Sequence, residues 1–137
     1  MSTKSFIINL PIITGDQDRR RLRKSFSFGC NLQNAVMGGG WDRVLQMRAT
    51  AEWQATRAMP KGRERTKAFR DLRVRFRLSE YDFHADVAKH RKASGRGHLL
   101  GINECQKLAS RAWISVDRKS TRLNSSHSRA SRMPSSA

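Results

Sequence analysis

Apolar residues recur every three or four positions along most of the chain, which is the spacing of amphipathic helices. The clearest helix runs from Ile102 to Val116, where one face carries Cys105, Leu108, Ala109, Ala112, Trp113 and Val116. Three consecutive glycines at 38–40 and the break around Pro60 interrupt the pattern earlier in the chain. We therefore predict helices over residues 16–37, 41–58, 64–72, 80–92 and 102–116.

Capping residues mark two of these helix starts. Thr14 followed by Gln17 has the spacing of a capping box, in which each side chain binds the other residue's backbone N–H. Ser79 stands directly before the helix that begins at Glu80, so it is the predicted N-cap.

A short strand is predicted at the start of the chain. Residues Lys4–Leu10 are rich in β-branched side chains, and Pro11 stops the run. Such a strand would need neighbours from later sequence, because isolated strands are not stable. A second stretch, Arg73–Leu78, alternates cationic and apolar residues, and its six positions fit either a strand or a helix. The expected fold class is mainly α with at least one N-terminal strand, an α+β fragment.

Positive charge dominates the composition. The 137 residues contain 28 Lys and Arg against 11 Asp and Glu, a formal net charge of +17. This surplus indicates a polyanionic partner, most simply a phosphate backbone. A membrane is the rival polyanion, but no stretch reaches the roughly 18 consecutive apolar residues that a spanning helix needs. We expect no membrane partner, and no motif points to a small-molecule substrate.

The end of the chain resembles translated sequencing adapter. Asp117–His127 and Ser131–Ala137 match, in frame and in order, the two ends of a widely used short-read adapter. The competing interpretation is an ordinary Ser- and Arg-rich tail. Residues 117–137 are predicted to be disordered and non-native, which makes residues 1–116 the N-terminal part of a longer protein. Five of the 28 cationic and one of the 11 acidic residues follow Val116, so residues 1–116 keep 23 against 10, a net charge of +13.

The cysteines and the N-terminus favour a cytoplasmic protein. Cys30 and Cys105 are two lone thiols in a chain without secretory features, which is typical of reduced cysteines. The apolar run that ends at Pro11 is too short for a signal peptide.

Two cationic segments are candidate contacts for nucleic-acid phosphates. They contain Arg19, Arg20, Arg23 and Lys24 in the first segment, and Arg63, Arg65, Lys67, Arg70, Arg73, Arg75 and Arg77 in the second. The alternative is that these are solvated faces that keep the protein soluble. Tyr81 is a candidate for stacking on a base. Trp113 shares the apolar face of its helix and is expected to pack in the core.

Catalytic and metal-binding motifs are weak in this sequence. His84, His90, His98 and Cys105 follow one another at intervals of six, eight and seven residues, which match no compact zinc spacing. The carboxylates Asp16, Asp82 and Glu104 form no convincing pair. The glycines at 38–40 and 95–97 lack the context of a phosphate loop and are interpreted as hinges.

Three segments resemble the N-terminal part of the TnpB (OrfB) proteins of insertion elements, relatives of the compact type V CRISPR nucleases. The opening is similar at Phe6, Leu10, Pro11, Thr14 and Gln17, and then at Phe26, Gly29, Cys30 and Asn34. The middle segment is Leu78-Ser-Glu-Tyr-Asp-Phe-His84, and the most specific is Gln106-Lys-Leu-Ala-Ser-Arg-Ala-Trp113. Two positions depart from the family: Ile8-Asn9-Leu10 stands for its common Tyr-Arg-Leu, and Asn31 for a frequent Arg.

The resemblance implies part of an RNA-guided DNA endonuclease of the transposase type, with guide RNA and target DNA as partners in a prokaryotic cytoplasm. Residues 1–14 would belong to an incomplete oligonucleotide-binding barrel, and residues 15–116 to a helical recognition lobe. The family's metal-binding carboxylates and zinc ribbon would follow residue 116, so this part would hold no cofactor and cut nothing.

Two other classes fit the charge. One is a small helical DNA-binding regulator, for which 38–40 is the only candidate turn between a first helix and a recognition helix. The other is a structural RNA-binding protein, for which high basicity is also normal.

Overall fold

The chain is all-helical over the residues that the computed structural model describes, 5–130, with side chains described to residue 122. The α-helices in this range are α1 (Asp16–Arg48), α2 (Ala51–Ala58), α3 (Arg63–Arg75), α4 (Glu80–Ser94) and α5 (Ile102–Ala130). A single turn of 3-10 helix, Gly97–Leu99, links α4 to α5.

The main core lies where α1, α4 and α5 pack against one another. All three helices contribute buried side chains: Phe28, Leu32, Val36, Val44, Phe83, Val87, Cys105, Ala109, Ala112 and Val116. The predicted apolar face of the last helix supplies four of these, because Cys105, Ala109, Ala112 and Val116 lie three or four residues apart.

A smaller cluster holds α2 and α3 to the end of α1. It consists of Met47, Trp53 and Leu72, with Phe69, Phe76 and Leu78 packed against it. Its geometry depends on a break at Thr50, where one continuous helix was predicted over 41–58. The Thr50 hydroxyl accepts from the Trp53 N–H at 3.2 Å and donates to the Met47 carbonyl at 2.6 Å, so it ends α1 and starts α2.

The helix break predicted at residues 38–40 is wrong. All three glycines lie inside α1, and Gly40 packs directly against the Phe83 ring of α4. A Cβ at Gly40 would lie 2.5 Å from Cζ of Phe83, whereas one at Gly38 would meet nothing within 4 Å. Glycine therefore serves close packing at position 40, and tertiary contacts outweigh its low helix propensity of about 1 kcal/mol.

The predicted N-terminal strand is also wrong, and with it the α+β class and the barrel. Residues 5–15 carry no secondary structure, and no strand occurs anywhere in residues 5–130. The apolar side chains of this segment are largely exposed, from 66% at Ile8 to 98% at Ile13. The β-branched composition is real, but no other segment in the described range supplies a strand for backbone pairing. Lys4 lies outside the described residues.

The alternating segment Arg73–Leu78 is the end of a helix, which settles the open choice between helix and strand. After Arg75 the chain turns through Arg77, which has a positive φ of 55°. The Leu78 N–H donates to the Arg73 carbonyl and the Arg77 N–H to the Val74 carbonyl, the pattern of a Schellman motif. The turn directs Leu78 toward both apolar clusters.

The two predicted helix caps have different outcomes. Ser79 is the N-cap of α4 as predicted, and its side chain forms a capping box with Asp82. The box predicted at Thr14 and Gln17 does not form, because Gly15 is the N-cap of α1 and no side chain caps it. The Thr14 hydroxyl instead lies 3.4 Å from Nε of Arg19.

The last helix continues past the predicted end of native sequence. α5 runs through Ala130, so the disorder predicted from Asp117 does not hold for residues 117–130. Buried Ser120 accepts from Arg48 through its carbonyl oxygen at 2.8 Å and its hydroxyl at 3.1 Å. Lys119 lies 4.4 Å above the Trp41 ring. Residues 131–137, the other part of the predicted tail, lie outside the described residues.

Gly40→Ala is expected to lower the free energy of unfolding by about 1–3 kcal/mol, because the added methyl group overpacks the contact with Phe83. The matched control Gly38→Ala, in the same helix but facing open space, should raise it by about 0.5–1 kcal/mol. Urea unfolding followed by circular dichroism measures both. If both variants were stabilised, the close contact at Gly40 would be disproved.

The two thiols are expected to react at very different rates. Cys30 is exposed, whereas Cys105 is buried, and burial raises the pKa of the Cys105 thiol although Arg91 opposes the shift. Iodoacetamide should modify Cys30 in the folded protein and Cys105 only in denaturant. Because the fold disfavours the Cys105 thiolate, stability should also fall as the pH rises above the usual thiol range. Peptide mapping that found equal labelling in the native state would contradict this placement.

Candidate nucleic-acid interface

One face of α3 carries an uncompensated row of cations. Arg63, Lys67 and Arg70 are exposed and lie on the side of the helix opposite buried Leu72. Within the described part of the chain, no carboxylate lies within ion-pair distance of these three side chains. We call Arg63, Lys67 and Arg70 the α3 stripe.

The remaining predicted cations of this segment have partners inside the protein. Arg73 lies 3.6 Å from Asp117, Arg75 pairs with Glu52, and Arg77 lies 3.3 Å from Asp86. The Arg65 guanidinium lies 5.4 Å from the Phe69 ring centre and is half-buried. Exposed ion pairs of this kind contribute little stability, about 0–1 kcal/mol each. They do, however, partly neutralise the field of these arginines.

The first predicted cluster lies on the opening turns of α1. Arg19, Arg20, Arg23 and Lys24 are all exposed, and at 3.6 residues per turn they lie within one sector of about 140° around the helix. Asp16 and Asp18 precede them in the first turn. This cluster is separate from the α3 stripe, because α1 contacts α3 near its C-terminal end, at Met47.

The aromatic candidates divide clearly by burial. Tyr81 is 86% exposed near the start of α4, with its ring centre 6.4 Å from that of His84. Trp113 packs against the main core, and its indole N–H donates to the Leu78 carbonyl at 3.0 Å. The core packing predicted for Trp113 is confirmed, and Tyr81 is the aromatic candidate that stays accessible.

Arg43 has an internal role that the sequence did not predict. Its guanidinium lies 5.4 Å from the Phe83 ring centre and 2.8 Å from Asp86, although the ion pair lacks hydrogen-bond geometry. Asp86 is 13% exposed and also faces Arg77. A second internal cation is Arg48, and burial, helped by the charge of Arg57, lowers its pKa. Both arginines hold helices together, so they are poor candidates for ligand contact.

The histidines do not converge. His84 Nε2 lies 3.0 Å from the Ser110 hydroxyl, which donates to Glu80 at 2.7 Å. Within the described residues, no group of three or more His, Cys, Asp or Glu side chains is placed to hold a metal ion. No helix in the described range is long and apolar enough to cross a membrane.

Comparison with known proteins adds no relative. No family model, curated protein or solved structure matches the chain.

Sequence reasoning missed Arg96 and His98, which the structure places beside Arg23 and Lys24 along one groove. Arg96 belongs to the link interpreted only as a hinge, and His98 was considered only as a zinc ligand. The signal available was the presence of these two basic side chains at alternate positions, 96 and 98.

Replacing Asp86 should expose the structural role of its two arginine partners. Asp86→Asn leaves half-buried Arg43 without a countercharge and should lower the free energy of unfolding by about 1–2 kcal/mol. Asp42→Asn is the matched control, because Asp42 is exposed on the same helix as Arg43 and should change stability by less than about 0.5 kcal/mol. Chemical denaturation of both variants would disprove the assignment if the two losses were equal.

Proposed function

We propose that this chain binds the sugar-phosphate backbone of nucleic acid through the α3 stripe and does so without reading sequence. Its wider role would be the recognition part of a TnpB-type, RNA-guided endonuclease, with guide RNA and target DNA as ligands. The cleavage chemistry of such a protein would come from residues outside this chain.

The α3 stripe is the observation that carries this proposal. Its ends, Arg63 and Arg70, are seven residues apart, or about 10 Å along the helix axis. That length spans about three phosphates of one strand at 3.4 Å of duplex rise each. A row of exposed cations without countercharges gains most from such a ligand, because binding releases the counterions condensed on the phosphates.

The choice of guide RNA and target DNA rests on the resemblance of three ordered segments. The structure gives two of these segments internal roles. Leu78 and Phe83 of the middle segment pack in the apolar clusters, as do Ala109, Ala112 and Trp113 of the last one. In these two segments, the resemblance to TnpB-type proteins therefore supports a similar packing of helices more directly than a similar ligand contact. Tyr81, exposed in the middle segment, is the position best suited to stacking on a base.

The continuity of α1 argues against the alternative function, a small helical DNA-binding regulator. A helix-turn-helix needs a tight turn before its recognition helix. The only candidate turn was at residues 38–40, and these lie inside one continuous helix.

Removing the α3 stripe should reduce both the affinity and its salt dependence. For Arg63→Gln/Lys67→Gln/Arg70→Gln, the slope of log affinity against log salt should become less negative by about 2–3, since each lost phosphate contact removes about 0.9. Fluorescence anisotropy with labelled RNA and DNA of mixed sequence, between about 50 and 200 mM salt, measures the slope.

The matched control is Arg73→Gln/Arg75→Gln/Arg77→Gln, which removes the same charge from the same segment. Because these arginines already face carboxylates, the control should change the slope by about 1 or less. Equal changes in the two variants would reject the stripe as the contact surface. Salt-insensitive binding by the unaltered protein, or none at low salt, would reject backbone binding altogether.

A further inference from the structure

A groove of about 510 Å³ separates the start of α1 from the link between α4 and α5. Its walls are Arg23, Lys24 and Ser27 on one side and Arg96, His98 and Leu99 on the other. Three permanent cations, one imidazole and one hydroxyl therefore face a single space, and no carboxylate lines it.

The link wall of this groove is held by contacts with both neighbouring helices. Arg91 of α4 donates to the carbonyls of Gly97 at 2.6 Å and Leu100 at 3.1 Å, which fixes both ends of the 3-10 turn. Leu100 then packs against α1 at Gly29, where an added Cβ would lie 3.3 Å from Leu100 Cδ1. The groove is thus a product of the fold, and its cations are brought together from distant parts of the sequence.

Placing three positive charges around one groove is electrostatically unfavourable unless an anion binds between them. The groove differs from the α3 stripe in shape, because its cations converge from two walls, whereas those of the stripe follow one helix. A row suits successive diester phosphates, each with one charge. A convergent site suits a single group with more charge, and a phosphate monoester carries about −1.5 to −2 at neutral pH.

We propose that this groove binds a terminal phosphate monoester, the 5′-phosphate of a nucleic-acid strand. Arg96 acts as the main ligand, because a guanidinium can donate two parallel hydrogen bonds to phosphate oxygens. Lys24 and Arg23 add charge from α1, and the Ser27 hydroxyl can donate a further hydrogen bond. This inference rests on the proposed function for the identity of the strand that carries the phosphate.

The groove and the α3 stripe are separate sites. Met47, which packs with Leu72 of α3, is 24 residues from Arg23 along the same helix, or about 36 Å. A change at Arg96 should therefore leave binding at the stripe intact.

The test compares one oligonucleotide with a 5′-phosphate and the same oligonucleotide with a 5′-hydroxyl, at low salt. The unaltered protein should bind the phosphorylated form about tenfold more tightly, the effect of one or two additional charge-assisted hydrogen bonds. Arg96→Gln should reduce the preference to less than about twofold. Arg96→Lys, which keeps the charge but loses the bidentate geometry, should restore part of it.

Lys89→Gln is the matched control, since it removes one exposed positive charge from α4 without lining the groove. It should keep the tenfold preference. If Lys89→Gln lost the preference as Arg96→Gln does, the effect would be one of net charge and the groove would be rejected. Equal binding of both oligonucleotides by the unaltered protein would also reject the groove while leaving backbone binding in place.

A second measurement separates the groove from the proposed function. Inorganic phosphate should shift the ring-proton NMR signals of His98 but not those of His84, which is engaged with Ser110. Failure of both oligonucleotides to bind, together with a selective His98 shift, would reject the proposed function and keep a phosphate site with free phosphate as ligand. No shift at His98, or equal shifts at both histidines, would overturn the site.

Discussion

The close approach of α1 and α4 at Gly40 fixes the arrangement of the other helices. Phe83 is fully buried against the glycine, and its ring also faces the Arg43 guanidinium. A larger residue at position 40 would push α4 away and open the space that α5 closes from the other side. Because α1 continues unbroken past this contact, the basic groove lies near its N-terminal end and α3 packs near its C-terminal end.

The fold divides the chain's many cations into those that hold helices together and those that are exposed. Arg43 and Arg48 join segments far apart in sequence through a carboxylate and a carbonyl, and Arg91 holds the link after α4 through two carbonyls. Arg73, Arg75 and Arg77 are intermediate, because they are exposed yet face acidic residues. The α3 stripe and the opening turns of α1 are among the exposed cations that face no carboxylate in the described part of the chain. The charge that the surface presents therefore depends on the location of the few acidic residues as much as on the number of basic ones.

Local signals were sufficient for the start of α4, which Ser79 marks, and for the regular Cys105–Val116 face of α5, but not for the end of α5. They failed where distant residues decide the outcome. The glycines at 38–40 predict a break until Phe83 is known to pack against one of them, and the segment 6–10 predicts a strand until its lack of a pairing partner is known. Prediction of the candidate site failed for the same reason. The sequence located the basic segments, but the residues that neutralise some of them, Glu52, Asp86 and Asp117, come from other helices.

The pairing of Arg73 with Asp117 means that a residue of α5 acts on the edge of the α3 stripe. Arg73 follows Arg70 by three residues, so it lies at the margin of the α3 stripe and is restrained there by a carboxylate from α5. A neutral side chain at position 117 would release this guanidinium. The surface of α3 would then present four adjacent positive groups, so that one side chain of α5 controls the extent of a cationic row on another helix.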